Sequence, residues 1–133
     1  VMATARDVIA AINQNGSVHL GDGVTLPVES RAQTYAQFRE RTVDGVRVCY
    51  EVRRLGENRL IVQLMVQTEV GRVVDRLRYI AHRARLDCGV AAGMFGVHGG
   101  ETIDCHGAGV DYLLGRVQTQ LQLLYDTFES ELQ

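Results

Sequence analysis

The sequence predicts an α+β domain: a mainly antiparallel sheet built from hairpins, with helices packed on one side and a long helix at the C-terminal end. Three observations carry this. Residues 46–68 alternate apolar and polar side chains with period two on both sides of a Leu-Gly-Glu-Asn turn. Residues 70–85 and 110–131 instead place apolar side chains every three or four positions, the spacing of one helix face. Finally, 133 residues with a 46% hydrophobic share suit one domain, residues 1–133, with a core of its own.

Each element has its local reason. Thr4 and Asp7 form a capping-box pair ahead of Val8, Ile9 and Ile12, so a short helix is expected until Asn15-Gly16 ends it. Residues 18–20 and 24–28 read as short strands around Gly21-Asp22-Gly23. Pro27 lacks an amide proton and places the second of them at a sheet edge or ends it there. Ser30 and Gln33 are spaced as a second capping box, and Ala32, Tyr35, Ala36 and Phe38 would give that helix its apolar side. In the central hairpin Val46, Val48, Tyr50 and Val52 oppose Leu60, Val62, Leu64 and Val66. Ile61 and Met65 then leave the outer face half apolar. The helix over 70–85 follows. Seven glycines crowd residues 89–109, and Gly99-Gly100 reads as a tight turn between two strands or as part of a mobile loop. The last helix carries a four-three seam of Val110, Leu114, Val117, Leu121, Leu124 and Phe128. Within it, Leu114, Val117, Leu121, Leu124 and Phe128 are the candidate interface of a homodimer.

Composition narrows the chemistry. All fourteen basic residues are arginine, which excludes a lysine Schiff base and a phosphate loop that needs its lysine. Three widely spaced cysteines argue against a disulfide framework and for a cytoplasmic setting. No apolar run reaches membrane-spanning length, and no signal peptide is read. The net charge of −2 is unevenly placed. Residues 31–85 hold twelve arginines against six acids, and residues 86–133 hold one arginine against seven acids. The two halves are therefore expected to attract each other.

Two sets of residues offer chemistry. On the helix over 70–85, Arg72, Arg76, Arg83 and Tyr79 fall on one face and suit an anion, nucleic acid being one form of it. Acids of the last helix, Asp126, Glu129 and Glu131, compete for the chain's arginines. The second set is His82, Cys88, His98, Cys105 and His106. Thiol catalysis would use Cys105 with His98 or His106 as base. A metal would draw on Cys88, Cys105 and His106. The spacings match no zinc pattern, and if Gly99-Gly100 turns the chain, His98 and Cys105 lie roughly 13 Å apart. Gly107-Ala108-Gly109 precedes a helix but lacks a neighbouring cation, so turn geometry explains it better than phosphate binding.

The expected function is a non-enzymatic binding or interaction module acting as a homodimer: an adaptor, a chaperone-like protein or a small-ligand pocket protein. Its partner is a protein or small molecule, with no cofactor and no membrane. The alternatives are an anion- or nucleic-acid-binding protein using residues 70–85, and a small thiol- or metal-dependent enzyme at residues 88–109.

Overall fold

The computed structural model describes residues 2–132, and side chains through Glu129. The element order is α1 (Ala5–Asn15), β1 (Ser17–His19), β2 (Thr25–Ala32), β3 (Tyr35–Val43), β4 (Val46–Gly56), β5 (Arg59–Thr68), α2 (Val74–Ala84), β6 (Asp87–Ala91), β7 (Met94–Asp104) and α3 (Val110–Leu132). The seven strands form one antiparallel sheet in the order β1-β2-β3-β4-β5-β7-β6. All three helices contribute to a single core against one face of it.

The first helix forms as its capping residues dictate. Thr4 Oγ1 accepts from the Asp7 amide at 3.3 Å, and Asp7 Oδ2 accepts from the Thr4 amide at 2.9 Å. Ala5, Val8, Ile9 and Ile12 are buried, and Gly16 closes the helix at φ +78°.

The second expected helix is a strand pair instead. β2 runs through Ser30 to Ala32, the chain turns at Gln33-Thr34, and β3 returns with Ala32 opposite Tyr35. The spacing of Ala32, Tyr35 and Ala36 imitates a helix. The residues that reach the core are Ala36 and Phe38, two apart, as a strand requires. The chain therefore places five strands between α1 and α2. Pro27 neither ends β2 nor lies on the outermost strand. It pairs with Ser17 of β1, while pairing with β3 starts only at Val28, so no second neighbour asks for the missing amide.

The central hairpin keeps its register from Val46 opposite Thr68 to Arg54 opposite Leu60. Val48, Tyr50, Val52, Leu60, Val62, Leu64 and Val66 all point into the core. After it, a single 3₁₀ turn (Gly71–Val73) leads into α2, which buries Leu77, Ile80 and Ala81.

Gly99 and Gly100 do not turn the chain. β7 passes straight through them, paired with Leu64 and Gln63, and the β6–β7 turn lies at Ala92-Gly93. A Cβ at Gly100 would collide with the carbonyl oxygen of Val62, and one at Gly99 with the side chain of Leu86. These glycines allow close approach rather than reversal. Residues 89–104 are ordered strands with their connecting turn, not a loop.

Long-range backbone bonds join the ends of the fold. The Ala3 amide donates to Ala108 at 2.8 Å, the Ala5 amide to Glu57 at 2.9 Å, and the Cys105 amide to Asn58 at 2.7 Å. On α3, Leu113, Val117, Leu121, Leu124 and Phe128 are buried.

Candidate functional site

The site begins with a β-bulge. Phe38 pairs with Tyr50 and Arg41 with Val48, so Arg39 and Glu40 together oppose Cys49. Arg39 takes φ +51° there. Without the extra residue Arg39 and Arg41 would both point away from Phe38's face. With it, both reach the last turns of α3, on the helix side of the sheet.

What they meet is Glu129, only 4% exposed. Its carboxylate accepts from Arg39 Nε at 3.2 Å, Arg41 Nη2 at 2.7 Å and the Tyr50 hydroxyl at 3.0 Å. Burial, and then the adjacent Glu129 charge, push the Tyr50 phenol well above its ordinary range, so it stays a donor. The Arg39 guanidinium also lies over the Tyr125 ring, 5.6 Å from its centroid. Arg41 Nη1 is buried and has no hydrogen-bond partner among the described residues.

Beside this cluster, α2 and the β3–β4 hairpin diverge and leave a cavity of about 290 Å³. Val46, Val48, Val73, Leu77 and Ile80 supply apolar wall; Arg39, Arg41 and Arg76 line it with Asp44 and Glu129. Among the described residues of the lining there are three guanidiniums and two carboxylates. A cavity with apolar walls and a few convergent polar groups is how small-ligand sites are built. A larger groove of about 850 Å³ lies along α1, lined by Arg6, Arg31 and Arg54, but among the described residues its apolar lining is Ala10 and Ala32.

The other side of the sheet carries no helix, yet Glu51 at its centre is 1% exposed. Arg53 grips it through Nε at 2.8 Å and Nη2 at 3.1 Å, and the Gln37 and Gln63 amides donate at 2.7 and 2.8 Å. Burial alone would raise this carboxyl. The four hydrogen bonds and the Arg53 charge outweigh it and hold the group below its ordinary value. Ile61 and Met65 lie half-buried on this face; Met65 pairs with Cys49, whose thiol burial and the neighbouring carboxylates push up to about 11.

The predicted site residues divide. Of the four on the arginine helix, Arg76 lines the cavity. Arg83 donates to the Tyr79 hydroxyl at 3.3 Å and lies over its ring, while Arg72 sits in the 3₁₀ turn before α2. The cysteines and histidines do not converge. Cys88 is exposed on β6 opposite Val97, and Cys105 is buried just past the end of β7, eight residues from Val97, roughly 26 Å at strand spacing. His98 is exposed opposite Met65, and the His106 amide donates to Asp104 Oδ1 at 2.9 Å. Among the described residues no three His, Cys, Asp or Glu side chains are grouped to hold a metal. Burial and Asp104 push the Cys105 thiol up, the opposite of nucleophile activation. The Gly107–Gly109 segment is spent on structure: Ala108 bonds Cys105 and Ala3, and the Gly109 carbonyl accepts from Leu113.

Of the seam residues on α3, Val117, Leu121, Leu124 and Phe128 are buried within the chain itself and Leu114 packs partly against the core. Among the described residues, Tyr112 and Leu123 are the large apolar side chains that the helix leaves exposed. The attraction between the basic and acidic halves is realised by Glu129 with Arg39 and Arg41; the side chain of Glu131 lies outside the described residues.

Arg39, Arg41 and Glu129 were missed as site residues, although Glu129 carries a signal: it follows Leu121 by eight residues and Tyr125 by four, on the apolar side of the helix. No protein-family model, curated protein or solved structure matches the chain. None of the described helices is long and apolar enough to cross a membrane.

Proposed function

We propose that the chain is a non-enzymatic binding protein, and that the cavity between α2 and the β3–β4 hairpin takes a small amphipathic anion: a carboxylate with a short hydrocarbon body. The observation that carries this is the pairing of an apolar wall with the buried Arg41 Nη1, which has no hydrogen-bond partner among the described residues. A bare anion would leave Val73, Leu77 and Ile80 wet, and a neutral hydrocarbon would leave the Arg41 Nη1 donor unanswered. The cavity of about 290 Å³ fits about ten non-hydrogen atoms at roughly 30 Å³ each.

Octanoate, with 1-octanol and inorganic phosphate as controls, tests this by calorimetric titration. Octanoate is expected to bind and both controls to bind at least tenfold more weakly. Arg76→Gln should weaken octanoate at least tenfold, about 1.4 kcal/mol. Equal affinity for octanoate and octanol, or no effect of Arg76→Gln, removes the reading.

We read the assembly as a homodimer and the compartment as the cytoplasm. The first rests on two-fold dimers being the commonest assembly. The second rests on three unpaired thiols.

A further inference from the structure

The two edges of the sheet are treated differently. At one, β1 is three residues long and covers β2 only from Thr25 to Pro27. Beyond it the exposed backbone is occupied: the Val28 amide donates to Gly16, and the Ala32 carbonyl accepts from Asn13 Nδ2 at 2.9 Å. The Arg31 side chain reaches across to the Asn13 carbonyl. Short strands, proline and charge are the ordinary ways of keeping an edge from pairing.

The other edge, β6, is less protected. All five of its residues are exposed, and its pairing with β7 is unbroken from Asp87 opposite His98 to Ala91 opposite Met94. It contains no proline, no arginine and no bulge, and its one charge is at its first residue. Val90 is 70% exposed. Among the described residues, no other backbone or side chain bonds the groups of β6 that point away from β7.

We infer that β6 is the self-association edge of this protein. Two copies join β6 to β6 antiparallel about a two-fold axis near Gly89, merging two seven-stranded sheets into one. An antiparallel pair is its own complement under a two-fold, so one free edge supplies both halves of the interface. In that register Asp87 faces the partner's Ala91, and the two carboxylates sit at opposite ends of the ladder. Gly89 and Ala91 carry too little side chain to hold the backbones apart. Uncharged residues from Cys88 to Ala91 favour a second copy over a charged peptide. This inference rests on the homodimer reading and names its interface; it is independent of the anion cavity.

The native cysteines supply the test, because Cys88 is exposed while Cys49 and Cys105 are buried. Sedimentation equilibrium would be run on the wild type, Val90→Lys and, as a control on α3, Leu123→Lys, followed by treatment with a short bis-maleimide. The wild type should be a dimer that cross-links through Cys88. Val90→Lys should raise the dissociation constant at least tenfold and abolish the cross-link, with an unchanged circular dichroism spectrum. Leu123→Lys should remain dimeric. A dimer that survives Val90→Lys, or that Leu123→Lys dissolves, overturns the β6 interface while leaving a homodimer. A wild type that stays monomeric at about 0.1 mM overturns the homodimer reading itself.

Discussion

Two glutamates, Glu51 and Glu129, lie on opposite faces of one sheet and solve the same problem. Each is nearly inaccessible, and each is surrounded by donors that replace the lost water. Glu51 is the sharper case because every donor comes from strands β3, β4 and β5 and no helix covers it. Its carboxyl is held below the ordinary 4.5, so its contribution to stability is complete above that pH. The contribution is lost as the pH falls through the lower, folded value. Replacing Glu51 with Gln should cost on the order of 2 kcal/mol at neutral pH, since hydrogen bonds to a charged group are lost. The same change should flatten the fall in stability below pH 4.5. Urea melts of both proteins from pH 7 to 3 would show it; parallel curves would mean that Glu51 has the same affinity for protons folded and unfolded.

Among elements, the hairpin of β4 and β5 and the helices were legible because their residues follow one period without interruption. Thr4, Asp7 and Gly16 mark α1 in the same direct way. Of the β2–β3 pair only the start of β2, read over 24–28, was legible. Register shifts between Val28 and Ser30 and between Phe38 and Arg41 break the alternation that announces a strand. That second irregularity also hid the candidate site, since only the bulge brings Arg39 and Arg41 onto Glu129. β7 was misread for a different reason. Gly99-Gly100 looks like a turn, but its cause is the approach of a neighbouring strand, which no local pattern reports. This separates two glycines on one strand. Gly100→Ala should destabilise by about 3 kcal/mol or prevent folding, because the new methyl meets backbone at Val62 and Gln63. Gly96→Ala, whose methyl would sit 3.6 Å from the Val66 carbonyl, should cost less than about 1 kcal/mol. Thermal melts of the two variants would decide it, and equal losses would contradict the close-approach account.

For the whole molecule, the division of charge between basic and acidic halves becomes part of the architecture. Glu129 near the end of the chain is clasped by arginines of β3, some ninety positions earlier, so α3 is fixed by charge as well as by its buried leucines. The backbone bond of Ala3 reaches further still, to Ala108, and that of Ala5 reaches Glu57. Their consequence is kinetic. The segment leading into α1 has nothing to dock on until the β4–β5 turn and the junction between β7 and α3 exist, so α1 is expected to join late, after the sheet has assembled. A fold dominated by such distant contacts should refold on the millisecond-to-second scale. Thr4→Ala, which removes the cap of α1 at a cost of about 1 kcal/mol, should then leave the refolding rate nearly unchanged. Stopped-flow measurements should find that cost in faster unfolding.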